Sequence, residues 1–90
     1  MYAVITNWDL NNVGMDCELH HFKSIKNAVE FAKGQTAKHI EEWYNGDLGS
    51  IEEFSERVLE NNSGYSAYVK NGCNDWRINI TPVVFTDDDF

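Results

Sequence analysis

Seven side chains at helical spacing set the main constraint on this chain. Ile25, Ala28, Val29, Ala32, Thr36, Ile40 and Trp43 recur at steps of three and four, which lines them along one face of an α-helix. Lys26, Glu30, Lys33, Lys38, Glu41 and Glu42 fall mostly off that face. Ser24 is placed to cap the helix start, and Asn45-Gly46 to stop it, because a short hydroxyl can accept the free first-turn amides and Asn or Gly tolerates the left-handed exit. Gly34, inside the helix, costs about 1 kcal/mol relative to alanine, so a kink or close packing is expected there. The spacing puts Trp43 in the core and leaves Tyr44 as an exposed contact. Such a stripe must be buried against other elements, and both flanks of the helix offer strands.

Before it, Tyr2, Val4, Thr6 and Trp8 alternate with Ala3 and Ile5, the period-two pattern of a strand. Asn11, Asn12 and Gly14 mark a turn, and residues 17–22 alternate again as its return strand. After it, residues 65–70 and 75–81 pair around Asn71-Gly72. A two-residue turn there would put Ala67 opposite Trp76. A four-residue loop over 71–74 would put Val69 opposite Trp76 and Lys70 opposite Asp75, and it is preferred because apolar meets apolar and charges oppose. Either register places Trp76, Ile78 and Ile80 on the face of Tyr65, Ala67 and Val69. Pro82 interrupts the ladder, and residues 83–85 continue as an edge segment.

Between these stretches, Ser50-Ile51-Glu52-Glu53 reads as a capping box. It opens a short second helix with Ile51, Phe54 and Val58 on its buried face, ended by Asn61, Asn62 and Gly64. The expected order is ββααββ. The expected fold class is α+β: a two-layer single domain over residues 1–90, with one antiparallel sheet and both helices packed on one face. Residues 87–90 are expected to be a frayed acidic tail.

No motif for chemistry survives inspection. His20 and His21 are neighbours on a strand and point to opposite faces, so they cannot chelate one ion together. Asp9, Asn11 and Gly14 match the opening of a calcium loop, but Val13 and His20 stand where further ligands are needed. There is no phosphate-binding glycine loop and no G-x-S-x-G elbow. The expectation is a non-enzyme with no cofactor and no metal. Residues 1–20 lack a basic start and an apolar stretch, and no run of about 20 apolar residues exists to span a bilayer. A cytoplasmic location is expected, with Cys17 and Cys73 as free thiols.

Charge is the informative feature. The 90 residues carry a net charge of −8, which repels phosphate backbones and anionic lipid. Residues 1–40 are neutral overall, whereas residues 41–60 carry Glu41, Glu42, Asp47, Glu52, Glu53, Glu56 and Glu60 against Arg57 alone. Glu41 and Glu42 close the long helix and Lys23 and Lys26 open it, each opposing the macrodipole by about 0.3–1 kcal/mol. A locally unfavourable arrangement is where function is worth seeking. The seven acids, with Tyr44, form the candidate partner-binding set, directed at a basic protein surface such as that of a nuclease or another nucleic-acid-binding protein. In size and charge the chain resembles the small DNA-mimic inhibitors of phages and mobile elements and the immunity proteins of nucleases. That resemblance implies a non-catalytic inhibitor with no direct nucleic-acid contact. The alternative is a small-ligand or catalytic site on an open sheet face, lined by His20, Phe22, Tyr68, Asp75 and Arg77. Nucleic-acid binding through Lys23, Lys26, Lys33 and Lys38 is disfavoured by the net charge.

Overall fold

A computed structural model describes residues 1–83 of the chain. The expected tail at 87–90 and most of the edge segment at 83–85 lie outside the described residues. Five strands form one antiparallel sheet: β1 (Tyr2–Leu10), β2 (Gly14–Phe22), β3 (Glu53–Val58), β4 (Tyr65–Asn71) and β5 (Asn74–Pro82). Their order is β2-β1-β5-β4-β3. One helix, α1 (Ile25–Tyr44), leaves edge strand β2 and lies on one face of the sheet. The chain then reaches the opposite edge, β3. The class is α+β, with element order ββαβββ. No helix among the described residues is long and apolar enough to cross a membrane.

The first helix begins and ends where its caps predict. Ser24 Oγ accepts from the Asn27 amide at 3.3 Å. The exit turns left-handed at Asn45 (φ 53°), whose amide donates to the Glu41 carbonyl at 3.1 Å. Gly34 produces no break: the helix runs through it, and Gly34 faces open space on the exposed side. Ala28, Val29, Ala32, Thr36, His39 and Ile40 are buried. The assignments at the helix end are reversed. Trp43 is 37 % exposed, while Tyr44 is half-buried against the core.

The second helix is not there. Residues 53–58 are a strand paired with β4, Phe54 opposite Val69 and Val58 opposite Tyr65. Ser50 ends a short 3₁₀ turn, Leu48–Ser50, capped instead by Asp47, whose carboxylate accepts from the Gly49 amide at 3.0 Å. A helix of about ten residues is marginal in water. Without β3, β4 would present an unpaired edge, and the ladder outweighs the local capping signal.

The β4–β5 register is the preferred one, with Val69 opposite Trp76 and Lys70 opposite Asp75. Its turn is tighter than expected, since Asn71 and Asn74 already pair and only Gly72 and Cys73 remain at the tip, Gly72 at φ 63°. The core lies between α1 and the central strands, with Val4, Tyr65, Ala67, Val69, Trp76 and Ile78 buried on the helix side. Each large side chain there contributes roughly 1.5–3 kcal/mol by leaving water. Among the described residues nothing covers the other face of the sheet.

Candidate interaction surface at one end of the sheet

Strand pairing assembles an acidic end that sequence proximity does not show. On the open face the terminal rung reads Met15, Asp9, Asp75, Lys70, Glu53 across all five strands. Asp9 and Asp75 are thus directly opposed, a like-charge pair that costs roughly 0.2–1 kcal/mol. Asp75 is held by Arg77, whose Nε donates to it at 3.1 Å, and the carboxylate in turn pushes the Arg77 guanidinium pKa up. Asp16 adds a carboxylate one rung in, opposite Trp8 on the helix side.

Three loops converge at this end. The Asn11 amide donates to Asn74 Oδ1 at 2.7 Å, joining the β1–β2 and β4–β5 turns. The Glu52 amide donates to Asn71 Oδ1 at 3.3 Å, and Glu52 Oε2 accepts from the Gly72 amide at 3.2 Å. These bonds dock the segment after α1 on the same turn, so the end of the helix is carried there too. Glu41 and Glu42 are exposed on its last turns, with Lys38 Nζ 3.9 Å from Glu42. Asp47 caps the 3₁₀ turn beside them.

Of the acids singled out from sequence, Glu41, Glu42, Asp47, Glu52 and Glu53 are therefore brought together. Glu53 lies on the open face, where Tyr68 Oη donates to it at 3.0 Å. Partial desolvation and that carboxylate push the Tyr68 phenol up. Glu56 is separated from them: it sits mid-strand on the helix side and accepts from Tyr65 Oη. Tyr65 is 3 % exposed, and its hydroxyl oxygen also lies 3.0 Å from Thr36 Oγ1. Burial, with Glu56 beside it, drives its phenol pKa well up. Glu60 is at the opposite end, in the 3₁₀ turn Glu60–Asn62 between β3 and β4. The spacing of Glu52 and Glu56 by one helical turn is overturned with the helix. Tyr44, expected as an exposed contact, has its hydroxyl inside without a hydrogen-bond partner among the described residues, and burial pushes its pKa up.

Asp9, Asp16 and Asp75 are acids that the sequence reading left out of the partner-binding set, Asp75 being expected only in the alternative site. Each sits at or next to a hairpin tip, but only the pairing of β1 with β5 makes them one group. That contact joins residues more than 60 positions apart, and no local pattern announces it.

The open face also carries a concave pocket of about 310 Å³, lined by Asn7, Ser55, Ser66, Tyr68, Arg77 and Asn79 among others. Arg77 lies over the Tyr68 ring at 4.7 Å from its centre. Of the residues proposed for such a site, Tyr68, Asp75 and Arg77 share this face. His20 and Phe22 do not: both point to the helix side and pack on Phe31. No match was found among protein-family models, curated proteins or solved structures.

Proposed function

We propose that this chain is a non-catalytic interaction protein that inhibits a basic, nucleic-acid-binding partner by occupying its phosphate-binding groove. One observation carries the reading: carboxylates from β1, β2, β3, β5, the end of α1 and the following loop gather at one end of the sheet, Asp9 and Asp75 in direct opposition. Lys23 and Lys26 open α1 at the other end, so the charge of the described residues is polarised along the molecule. Eight carboxylates stand at that end against Lys38, Lys70 and Arg77, more one-signed than a surface mixed for solubility alone. A rigid sheet end and helix end hold the carboxylates in fixed positions, as a groove built for phosphates requires. The partner set becomes Glu41, Glu42, Asp47, Glu52 and Glu53 together with Asp9, Asp16 and Asp75.

The test uses residues without a structural role. Asp9→Lys with Glu41→Lys changes the net charge by four units and breaks no hydrogen bond of the fold. It also exchanges the opposed carboxylates for an ammonium facing Asp75, so stability should hold or rise. Capture from a nuclease-rich lysate should retain a basic protein on the parent chain. Salt or duplex DNA should release it, since charge complementarity is screened and phosphates compete. The double variant should lose it, because like charges across an interface cost several kcal/mol. Glu30→Lys with Glu60→Lys, away from the acidic end, makes the same change in net charge and should still bind. Equal capture by both double variants, or capture indifferent to DNA, overturns the proposal.

A second reading rests on the open-face pocket. Its volume is at the low end for ligand sites, roughly 300–1,000 Å³. Arg77 stacked on Tyr68 above asparagines and serines suits a small polar ligand. A thermal-shift screen of anionic metabolites that raises the midpoint of the parent but not of Arg77→Ala would favour it.

A further inference from the structure

We infer that the outer edge of β2 is a self-association edge, and that two copies join antiparallel about a two-fold axis through Leu19 to make one ten-stranded sheet. The two edges of the sheet differ. β3 has six residues, lies between two 3₁₀ turns and carries Glu53, Glu56 and Arg57. β2 has nine residues, pairs one-to-one with β1 from Gly14 to Phe22 without a bulge, and contains neither proline nor lysine. It is exposed along its length except at Phe22. A long, regular edge with unpaired amides and carbonyls is a template for another strand.

Its charge order selects a second copy as that strand. Asp16 and Glu18 occupy its first half, and His20 and His21 its second, with Lys23 just beyond. Antiparallel self-pairing sets these halves against each other. Facing side chains must share a sheet face, so the axis passes through a residue. Through Glu18 it would oppose two carboxylates, and through His20 two imidazoles. Through Leu19 it opposes Leu19 to itself, with Glu18 facing His20 of the second copy on either side. Leu19 is 56 % exposed in the single chain. Glu18 already reaches its own His20 at 3.6 Å, both side chains being about half exposed, so in the pair each carboxylate would lie between two imidazoles. The antiparallel joint also directs the two acidic ends away from each other, which limits repulsion between copies of charge −8.

Sedimentation equilibrium of the full chain from micromolar to millimolar concentration tests this. The mass should approach twice 10.4 kDa. Leu19→Lys and Glu18→Lys should each weaken association by at least about tenfold. Glu18→Lys combined with His20→Glu should restore it, because the exchanged pair is again self-complementary. Circular dichroism at low concentration checks that each variant is folded. Amide exchange in β2, and not in β3, should slow as concentration rises. A monomer at every concentration, association indifferent to Leu19→Lys, or slowing confined to β3 overturns the inference.

Discussion

His39 shows how one side chain can set a pH limit on the fold. It is 7 % exposed, and its ring stacks on Trp76 with centres 4.7 Å apart and planes 8° from parallel. Its Nε2 has no hydrogen-bond partner among the described residues. Glu18, Lys38 and Glu42 line the small cleft beside it. Burial lowers its pKa from 6.5 to about 4. The unfolded chain therefore takes up this proton before the folded one does. The stabilisation is complete above pH 6.5 and is lost as pH falls towards 4, to a total of roughly 3 kcal/mol. Urea midpoints at pH 7 and pH 4.5 should fall farther apart for the parent than for His39→Phe, which keeps a stacking ring without the titration. Equal differences would mean that His39 is charged in the folded protein. Glu56 carries the complementary lesson. Its carboxylate looked like a free surface charge in the sequence, yet it accepts from a buried tyrosine.

At the scale of elements, α1 and β3 behave oppositely. The α1 stripe, cap and stop all agree, and the helix forms where they say. Gly34 was the one dissonant residue, but it faces open space without a neighbour that a Cβ would meet. Gly34→Ala should therefore raise stability by roughly 0.5–1 kcal/mol, as loss of the glycine's backbone freedom in the unfolded chain predicts. A fall in the thermal midpoint would show that glycine is needed for packing there. Residues 50–60 have an equally clear local helical signal, and it is overruled. Ser50 Oγ donates to the Asp47 carbonyl at 2.8 Å rather than capping a helix. Phe54 still meets the core, because the side chain opposite Val69 faces the helix from a strand as well.

For the whole molecule, charge is the unbalanced quantity. The described ion pairs between lysine or arginine and carboxylates are exposed, Lys38–Glu42 and Arg77–Asp75, and pairs of that kind contribute little. Repulsion among the acids of one end should outweigh them at low ionic strength. Added salt should raise the thermal midpoint as the Debye length shrinks from about 30 Å at 0.01 M to about 8 Å at 0.15 M. Asp9→Asn should stabilise by roughly 0.2–1 kcal/mol at low salt, by relieving the opposition to Asp75, and by less at high salt. A midpoint that falls with salt, or an Asp9→Asn gain independent of it, would mean that the acidic end is internally neutralised.

The elements whose evidence is local are legible in the residues alone. These are α1 with both of its caps, the first hairpin, and the register of β4 against β5 down to Val69 on Trp76. The sign of the charge and most of the carboxylates at the acidic end are legible there too. Tertiary structure decided the rest. Whether residues 53–58 coil or extend depends on the unpaired edge of β4, which a local window cannot contain. The pairing of β1 with β2 and β5 brings Asp9, Asp16 and Asp75 into the group, while the pairing of β3 with β4 extends residues 53–58 and so removes Glu56 and Glu60 from it. Trp43 and Tyr44 exchanged places for a related reason. Adjacent helical positions differ by about 100°, and near the end of a helix the packing angle on the sheet, not periodicity alone, selects the side chain that turns inward.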